Sequence, residues 1–350
     1  MRTFRSDNNA GLCPEAIEAL VAANDGSHAL GYGDDQLTAD AETTFRRIFG
    51  DGTAVFFVAT GTAANVLAIA SLTEPWQQVV AHHHSHLADD ESTAPERITH
   101  LRTVAVRGEG SKLTPATLAP VIARGRGDVH QPQPGVVSLS NPTEFGEVYR
   151  PDEVRAICDL CHDAGYRVHV DGARFANAVA SLDVDPRAIS VDAGVDALSF
   201  GGTKNGLAAG EAVLFFPQGD GAACARARTV FPFHRKGTGH LVSKHRFLVA
   251  PFIRTLADDT WLRHARHANA MAQRLGAGLQ AAGIEPIFAV EANGVFVVLP
   301  DAVHEAWQRA GQGYYPFGEP DLACHRLMCS FDTAPADVDA ILELAIAAIR

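Results

Sequence analysis

Asp196-Ala197-Leu198-Ser199-Phe200-Gly201-Gly202-Thr203-Lys204-Asn205 runs from an apolar, strand-like stretch into two glycines, a threonine and a lysine. Lys204 is one of only four lysines in 350 residues, so it does not belong to a general population of solvated lysines. Two other apolar runs end in a comparable way. Val168-His169-Val170-Asp171-Gly172-Ala173-Arg174 closes on a carboxylate and a cation three residues apart, and Ala54–Ala59 leads into Thr60-Gly61-Thr62. Read as strand ends, the three supply a glycine-and-threonine turn, an aspartate and a lysine. Those are the parts needed to hold pyridoxal phosphate: the turn for the phosphate, the carboxylate for the ring nitrogen, the amine for a Schiff base.

The surrounding pattern supports that reading. Short β-branched or aromatic runs predict strands at Ala54–Ala59, Gln78–Ala81, Thr103–Val106, Val136–Ser140, Arg167–Val170, Ala197–Phe200 and Ala212–Phe216. Helical periods fall at Thr62–Ser71, Thr114–Arg124, Pro151–Ala164 and Ala173–Ser181. Strands alternating with helices, several apolar on both faces, predict an α/β fold with a mostly parallel sheet covered on both sides. Such sheets place ligands at the carboxyl ends of their strands, which brings Thr60, Asn141, Asp171 and Gly201 to one edge.

After about Arg228 the character changes. Trp261–Ala282 reads as one long helix, Gly294–Leu299 and Arg326–Phe331 as strands, and Ala336–Ile349 as a closing helix. The expected organisation is therefore an N-terminal segment (1–30) packed near the active-site region, a large α/β domain (31–228) and a smaller α+β domain with its linker (229–350). The glutamine- and proline-rich stretch from Gly125 to Gly135 reads as a surface loop.

Each element has a plainer reading. Thr60-Gly61-Thr62 also suits an ordinary helix start capped by threonine, and it lacks the further glycines of a dinucleotide fingerprint. Asp171 alone could be a helix cap, Arg174 a surface ion pair and Lys204 a solvated loop residue. The run Ala81-His82-His83-His84-Ser85-His86-Leu87-Ala88-Asp89-Asp90-Glu91 tempts a metal-dependent hydrolase reading. It is contiguous, however, so few of its side chains can converge on one ion, and an imidazole stacked on a flat cofactor is the better use. Cys158 and Cys161 fall on one face of a helix and read as core thiols, with no second ligand pair at zinc spacing.

Composition narrows the class. With 29 basic against 41 acidic residues the net charge is −12, and no basic block offers a face to nucleic acid. No apolar run approaches membrane-spanning length and the polar start carries no signal peptide, so the expected compartment is the cytoplasm.

Together these residues resemble the low-specificity L-threonine aldolases, relatives of the aromatic amino acid β-eliminating lyases and fold-type I pyridoxal-phosphate enzymes. The likeness is carried by Ser6-Asp7-Asn8, Tyr32-Gly33-Asp34-Asp35, Thr60-Gly61-Thr62-Ala63-Ala64-Asn65, His86 with Glu91, Asp171-Gly172-Ala173-Arg174, Ser199-Phe200-Gly201-Gly202-Thr203-Lys204-Asn205 and Arg326-Leu327-Met328-Cys329-Ser330-Phe331. It implies a lyase that cleaves threonine, allo-threonine and related β-hydroxy amino acids to glycine and an aldehyde. Lys204 would carry the cofactor, Asp171 would bind its nitrogen, His86 would stack on its ring, and Gly61, Thr62 and Thr203 would hold its phosphate. Ser6, Tyr32, Arg174 and Arg326 would form the substrate site, the first and the two arginines gripping the substrate carboxylate. The resemblance also implies a homotetramer, a dimer of dimers with shared active sites, in which Arg235 or Lys236 reaches the partner's phosphate.

One departure stands out. Many relatives carry a histidine within the segment that here reads Asn141-Pro142-Thr143-Glu144-Phe145-Gly146. Recognition of the substrate hydroxyl then falls to Glu144 or to the histidines at 82–84, His83 among them, which leaves the general base open. A β-eliminating lyase or an aminotransferase on the same fold is the nearest alternative.

Overall fold

In the computed structural model, which describes residues 3–318 and 322–350, every expected strand of the large sheet is present. Met1 and Arg2 of the N-terminal segment, and residues 319–321 of the small domain, lie outside the described residues. Helices α1 (Pro14–Ala23) and α2 (Gln36–Phe49) precede β1 (Ala54–Val58), and α3 (Gly61–Leu72) leads to β2 (Gln77–His82). Short helices α4 (His86–Asp89) and α5 (Ala94–Thr99) precede β3 (Arg102–Val106), and α6 (Pro115–Ile122) precedes β4 (Gln133–Ser140). Then α7 (Pro151–Asp163), β5 (Arg167–Gly172), α8 (Phe175–Leu182), β6 (Ala197–Gly201) and β7 (Glu211–Phe215) complete the sheet.

Its strand order is β1-β7-β6-β5-β4-β2-β3. Only β7 runs against its neighbours; the β6–β5–β4–β2–β3 pairs are all parallel. The expectation of a mostly parallel sheet is met, and the exception matters. Reversal puts the first residue of β7, Glu211, at the same edge as the last residues of the parallel strands, opposite both Val58 and Gly201.

Helix α3 carries no charged residue and is buried from Ala63 to Leu72 on every face, because it lies between the sheet and a further helix. The other face of the sheet rests on an aromatic cluster in which Phe45 meets Phe200 edge-on at 5.2 Å and Phe252 at 5.5 Å. Edge-to-face pairs of this kind add about 0.5–1.5 kcal/mol beyond their area burial.

Helices α9 (Ala222–Gly237), α10 (Arg246–Ala257) and α11 (Thr260–Ala281) follow the sheet. A division at 228 would cut α9, whose Cys224, Ala227 and Phe231 join the core formed by α3 and the sheet. Phe252 of α10 joins the aromatic cluster, so both helices pack as part of the large domain. The change of character comes at α11. Its N-terminal half packs on α8, where Asn177 Nδ2 donates to Asn269 Oδ1 and Asn269 Nδ2 to the Asn177 carbonyl, each at 2.9 Å, and its C-terminal half enters the small domain.

The small domain contains β8 (Gly294–Val298), α12 (Asp301–Arg309), β9 (Tyr315–Pro316), β10 (Cys324–Met328) and α13 (Pro335–Ile349). Its antiparallel sheet has the order β8-β10-β9. The strand expected at Arg326–Phe331 starts two residues earlier and ends three earlier, because Cys324 pairs with Val298, while Ser330 turns to bond Asp332 and Thr333. Phe4 of the N-terminal segment inserts into this domain's core beside Trp307 and Leu327.

Candidate active site

A cavity of about 450 Å³ opens at the strand-end edge of the large sheet. Thr60, Gly61 and Thr62 enter it from the start of α3, Asp171 from the end of β5, and Thr203 and Lys204 from the turn after β6. That turn fits because Gly201 and Gly202 have no side chains: a Cβ on Gly201 would strike the Ala173 carbonyl, and one on Gly202 would lie 2.7 Å from the Phe252 ring. Close approach of β6 to the segment after β5 is what brings Lys204 and Asp171 to one cavity.

The start of α3 is built to receive an anion. Its first intrahelical bond, Ala64 N to Thr60 O, is 3.1 Å, and Thr60 Oγ1 accepts from Ala63 N at 3.3 Å. The amides of Gly61 and Thr62 precede both, so they face the cavity with the favourable end of a twelve-residue helix dipole behind them. A Cβ on Gly61 would meet nothing within 4 Å, so the approach is open.

Asp171 is buried, and a network holds it. Its Oδ2 accepts from Asn65 Nδ2 at 2.8 Å and its Oδ1 from Ala173 N at 3.0 Å. Burial alone would raise its pKa, but the attraction of His86 and Lys204 and the Ala173 amide outweigh it, and the carboxyl titrates below its ordinary range. The same Asn65 amide donates to Glu91 Oε1 at 2.9 Å, and Glu91 in turn holds His86 Nδ1 at 3.0 Å. The bond from Glu91 raises the His86 pKa against the opposing effect of burial. Asn65 thus ties Asp171 directly, and His86 through Glu91, into one network at the cavity wall.

The donor set fits pyridoxal phosphate: a lysine, an ionised carboxylate, a flat imidazole and a phosphate cradle line one space. Of the residues singled out in the sequence, Gly61, Thr62, His86, Glu144, Asp171, Arg174, Thr203 and Lys204 line it. Arg326 lies close by, stacked on Phe317 with its guanidinium carbon 4.6 Å from the ring centroid and within electrostatic reach of Arg174 and Glu144.

The rest lie elsewhere. Ser6 does not line the cavity; its Oγ accepts from Asn8 N at 3.2 Å, and Asn8 is the residue that enters. His83 is also absent from the wall, because β2 ends in a stack of His82, His83 and His84 rings. His82 and His84 instead line a small neighbouring space that shares Ser140 and Glu144 with the cavity. Burial beside the other two histidines lowers the His82 pKa to about 4. Tyr32 is half exposed beneath Lys236, whose Nζ is 5.1 Å from its ring centroid, and neither reaches the cavity of its own chain. Arg235 Nη1 donates to Phe57 O at 3.3 Å.

Among the described residues no group of three or more His, Cys, Asp or Glu is arranged to hold a metal ion. Cys158 and Cys161 are buried, and burial pushes the Cys161 thiol up to about 12. No described helix is long and apolar enough to cross a membrane.

Sequence reasoning missed the positioning work of Asn65, the entry of Asn8, and Glu211, which also lines the cavity. A signal for Glu211 was present, since a lone acid heads the apolar run Glu211-Ala212-Val213-Leu214-Phe215.

Comparison with known proteins agrees with this geometry. The chain matches the family model for beta-eliminating lyases over residues 3–302. It is 46% identical over 346 residues to the low specificity L-threonine aldolase of Pseudomonas aeruginosa, covering 98% of this chain and 95% of that protein. To that of Pseudomonas sp. strain NCIMB 10558 it is 44% identical over 337 residues, covering 96% and 94%. The solved structure of Leishmania major threonine aldolase superposes with a TM-score of 0.91 at 26% identity, with full coverage of both chains.

Proposed function

The chain belongs to the beta-eliminating lyase family, and from that premise we propose a pyridoxal-phosphate-dependent aldehyde-lyase. It cleaves L-threonine or L-allo-threonine, and other β-hydroxy-α-amino acids, to glycine and an aldehyde. The observation that carries this reading is the convergence of Lys204, Asp171 and the α3 start on one cavity, in a chain similar over nearly its whole length to low specificity L-threonine aldolases. The cofactor supplies an electron sink for the pair released when the Cα–Cβ bond breaks.

The chain's own residues do the rest. Lys204 is the attachment point. Gly61, Thr62 and Thr203 would hold the phosphate, and the ionised Asp171 would favour a proton on the ring nitrogen. Glu91 fixes the orientation of His86 through its Nδ1, and the imidazole would serve as the stacking surface for the cofactor's ring. Arg174 and Arg326 orient the substrate through its carboxylate, which sets the Cα–Cβ bond for cleavage. Glu144 lines the cavity and takes no part in these contacts, and we assign it the β-hydroxyl proton in preference to His83.

Arg235, Lys236 and Tyr32 lie outside their own chain's cavity. We place them at the cavity of a partner copy, in a dimer that pairs again to a tetramer; exposed Ile17, Val21, Leu30 and Phe233 provide apolar surface for such contacts.

A panel of threonine, allo-threonine, serine and phenylserine tests the reading. Glycine and an aldehyde in equal amounts are expected. Pyruvate with ammonia, or a keto acid with the cofactor left as its amine, would replace it with a β-eliminating lyase or an aminotransferase.

A further inference from the structure

Glu211 has no part in the scheme above, yet it lines the cavity and is almost fully buried. Its Oε2 accepts from Gly202 N at 2.7 Å, and Thr203 also hydrogen-bonds its carboxyl. Both donors belong to the turn that carries Lys204. The reversed β7 puts Glu211 there: opposite Gly201 on one side and Val58 on the other, it faces the lysine turn from below.

We propose that Glu211 positions the Lys204 turn and, through its charge, sets the pH at which the Lys204 nitrogen gives up its proton. This rests on the proposed cofactor chemistry. Nζ loses one proton and a carboxyl oxygen gains one, so two charged groups become two neutral ones. No other bond changes, no electrons are transferred, and the summed charge of the two groups stays constant.

The electrostatics suit that exchange. Burial raises Glu211 to about 7, against the bonds from Thr203 and Gly202 and the attraction of Lys204; Asp171 adds to the rise. Of the other elements at this corner, β1 offers the uncharged Val58 and the α3 start Thr60, Gly61 and Thr62, while α9 brings one cation, Arg235, whose Nη1 is held by the Phe57 carbonyl at 3.3 Å. A phosphate seated on that start would push the carboxyl further toward its protonated form. Glu211 can therefore take or release a proton near neutrality, as an ordinary exposed glutamate could not.

The test is a spectroscopic pH titration of the holoenzyme without substrate. Glu211→Gln keeps an acceptor for Gly202 and Thr203 but removes the charge that favours a protonated nitrogen on Lys204. The midpoint of the absorbance change should fall by about one pH unit. Glu211→Asp, charged but with shorter reach, should lie between Gln and wild type, and it carries the test alone if the Gln variant does not fold. A midpoint unmoved in the variants overturns the inference and leaves Glu211 a structural brace. A wild-type protein without the cofactor's absorbance band would instead remove the functional reading, and this inference with it.

Discussion

Arg174 donates two hydrogen bonds to Asp7, Nε to Oδ2 at 2.6 Å and Nη2 to Oδ1 at 2.9 Å, across 167 residues of sequence. Asp7 is 1% exposed and also accepts from Asn293 of the small domain at 3.0 Å. The N-terminal segment thus ties the large domain to the small one at the mouth of the cavity. The arginine expected to grip substrate is already aimed by an internal carboxylate.

Asp7→Asn should therefore destabilise the fold, because it leaves a buried guanidinium without its counter-charge. Removing one partner of a buried pair costs about 3–5 kcal/mol, and chemical denaturation would register that loss. Burial would raise the Asp7 pKa, but Arg174 overcomes this and holds it below the usual range. A depressed carboxyl contributes stability above its unfolded pKa and loses it as pH falls through the folded value. The variant should accordingly show a shallower acid-side loss than wild type. Parallel acid limbs would show that the pair does not govern acid stability.

Asp171→Asn should retain cofactor while losing most aldol cleavage. The variant keeps an acceptor near the Asn65 amide but removes the charge that holds a proton on the ring nitrogen. A fall in kcat of at least about 10²-fold is expected, as for loss of a major electrostatic contributor. Steady-state rates near wild type would reduce this aspartate to a structural cap.

What was legible in the sequence follows from the range of each interaction. The sheet strands announce themselves because Val, Leu and Phe runs, most of them buried on both faces, have few alternatives, and α3 because it lacks charge from end to end. Lys204, Asp171 and Thr62 were legible because residues at strand ends share an edge whatever the strand order. The links between them were not. Asn65 touches Asp171 across 106 residues only because α3 packs over β5, and no local pattern encodes that contact. Glu211 was hidden by starting β7 at Ala212: a buried acid looked like a loop residue until the strand's reversal placed it at the ligand edge. Ser6 and Asn8 lie two residues apart, and only the backbone turn decides which one enters the cavity.

Lys204 should carry the cofactor in the purified protein. Borohydride reduction followed by peptide mass mapping should place the pyridoxyl group in the peptide containing Thr203-Lys204-Asn205. Lys112 is a poor competitor, since its Nζ already bonds the Glu153 carboxylate at 2.9 Å and the Val148 carbonyl at 2.8 Å. Label on Lys112, Lys236 or Lys244 would sink the assignment.

Arg174 and Arg326 should separate when each is changed to lysine, since both changes keep the charge and lose the planar fork. Charge-assisted bonds of this kind are worth about 1.5–3 kcal/mol, or roughly 10- to 150-fold in kcat/KM if the contact is fully lost. Arg174→Lys should also soften the fold, because the two-pronged bond to Asp7 goes with the fork. Among the described residues Arg326 has no such acidic partner: its Nε is buried without a hydrogen bond, and its guanidinium leans on Phe317. Arg326→Lys should therefore reduce kcat/KM with thermal stability and the cofactor's absorbance unchanged. Because Arg326 comes from β10, its effect also reports whether the small domain contributes to substrate capture. A kinetically silent Arg326→Lys beside an impaired Arg174→Lys would confine carboxylate recognition to Arg174 and the N-terminal segment.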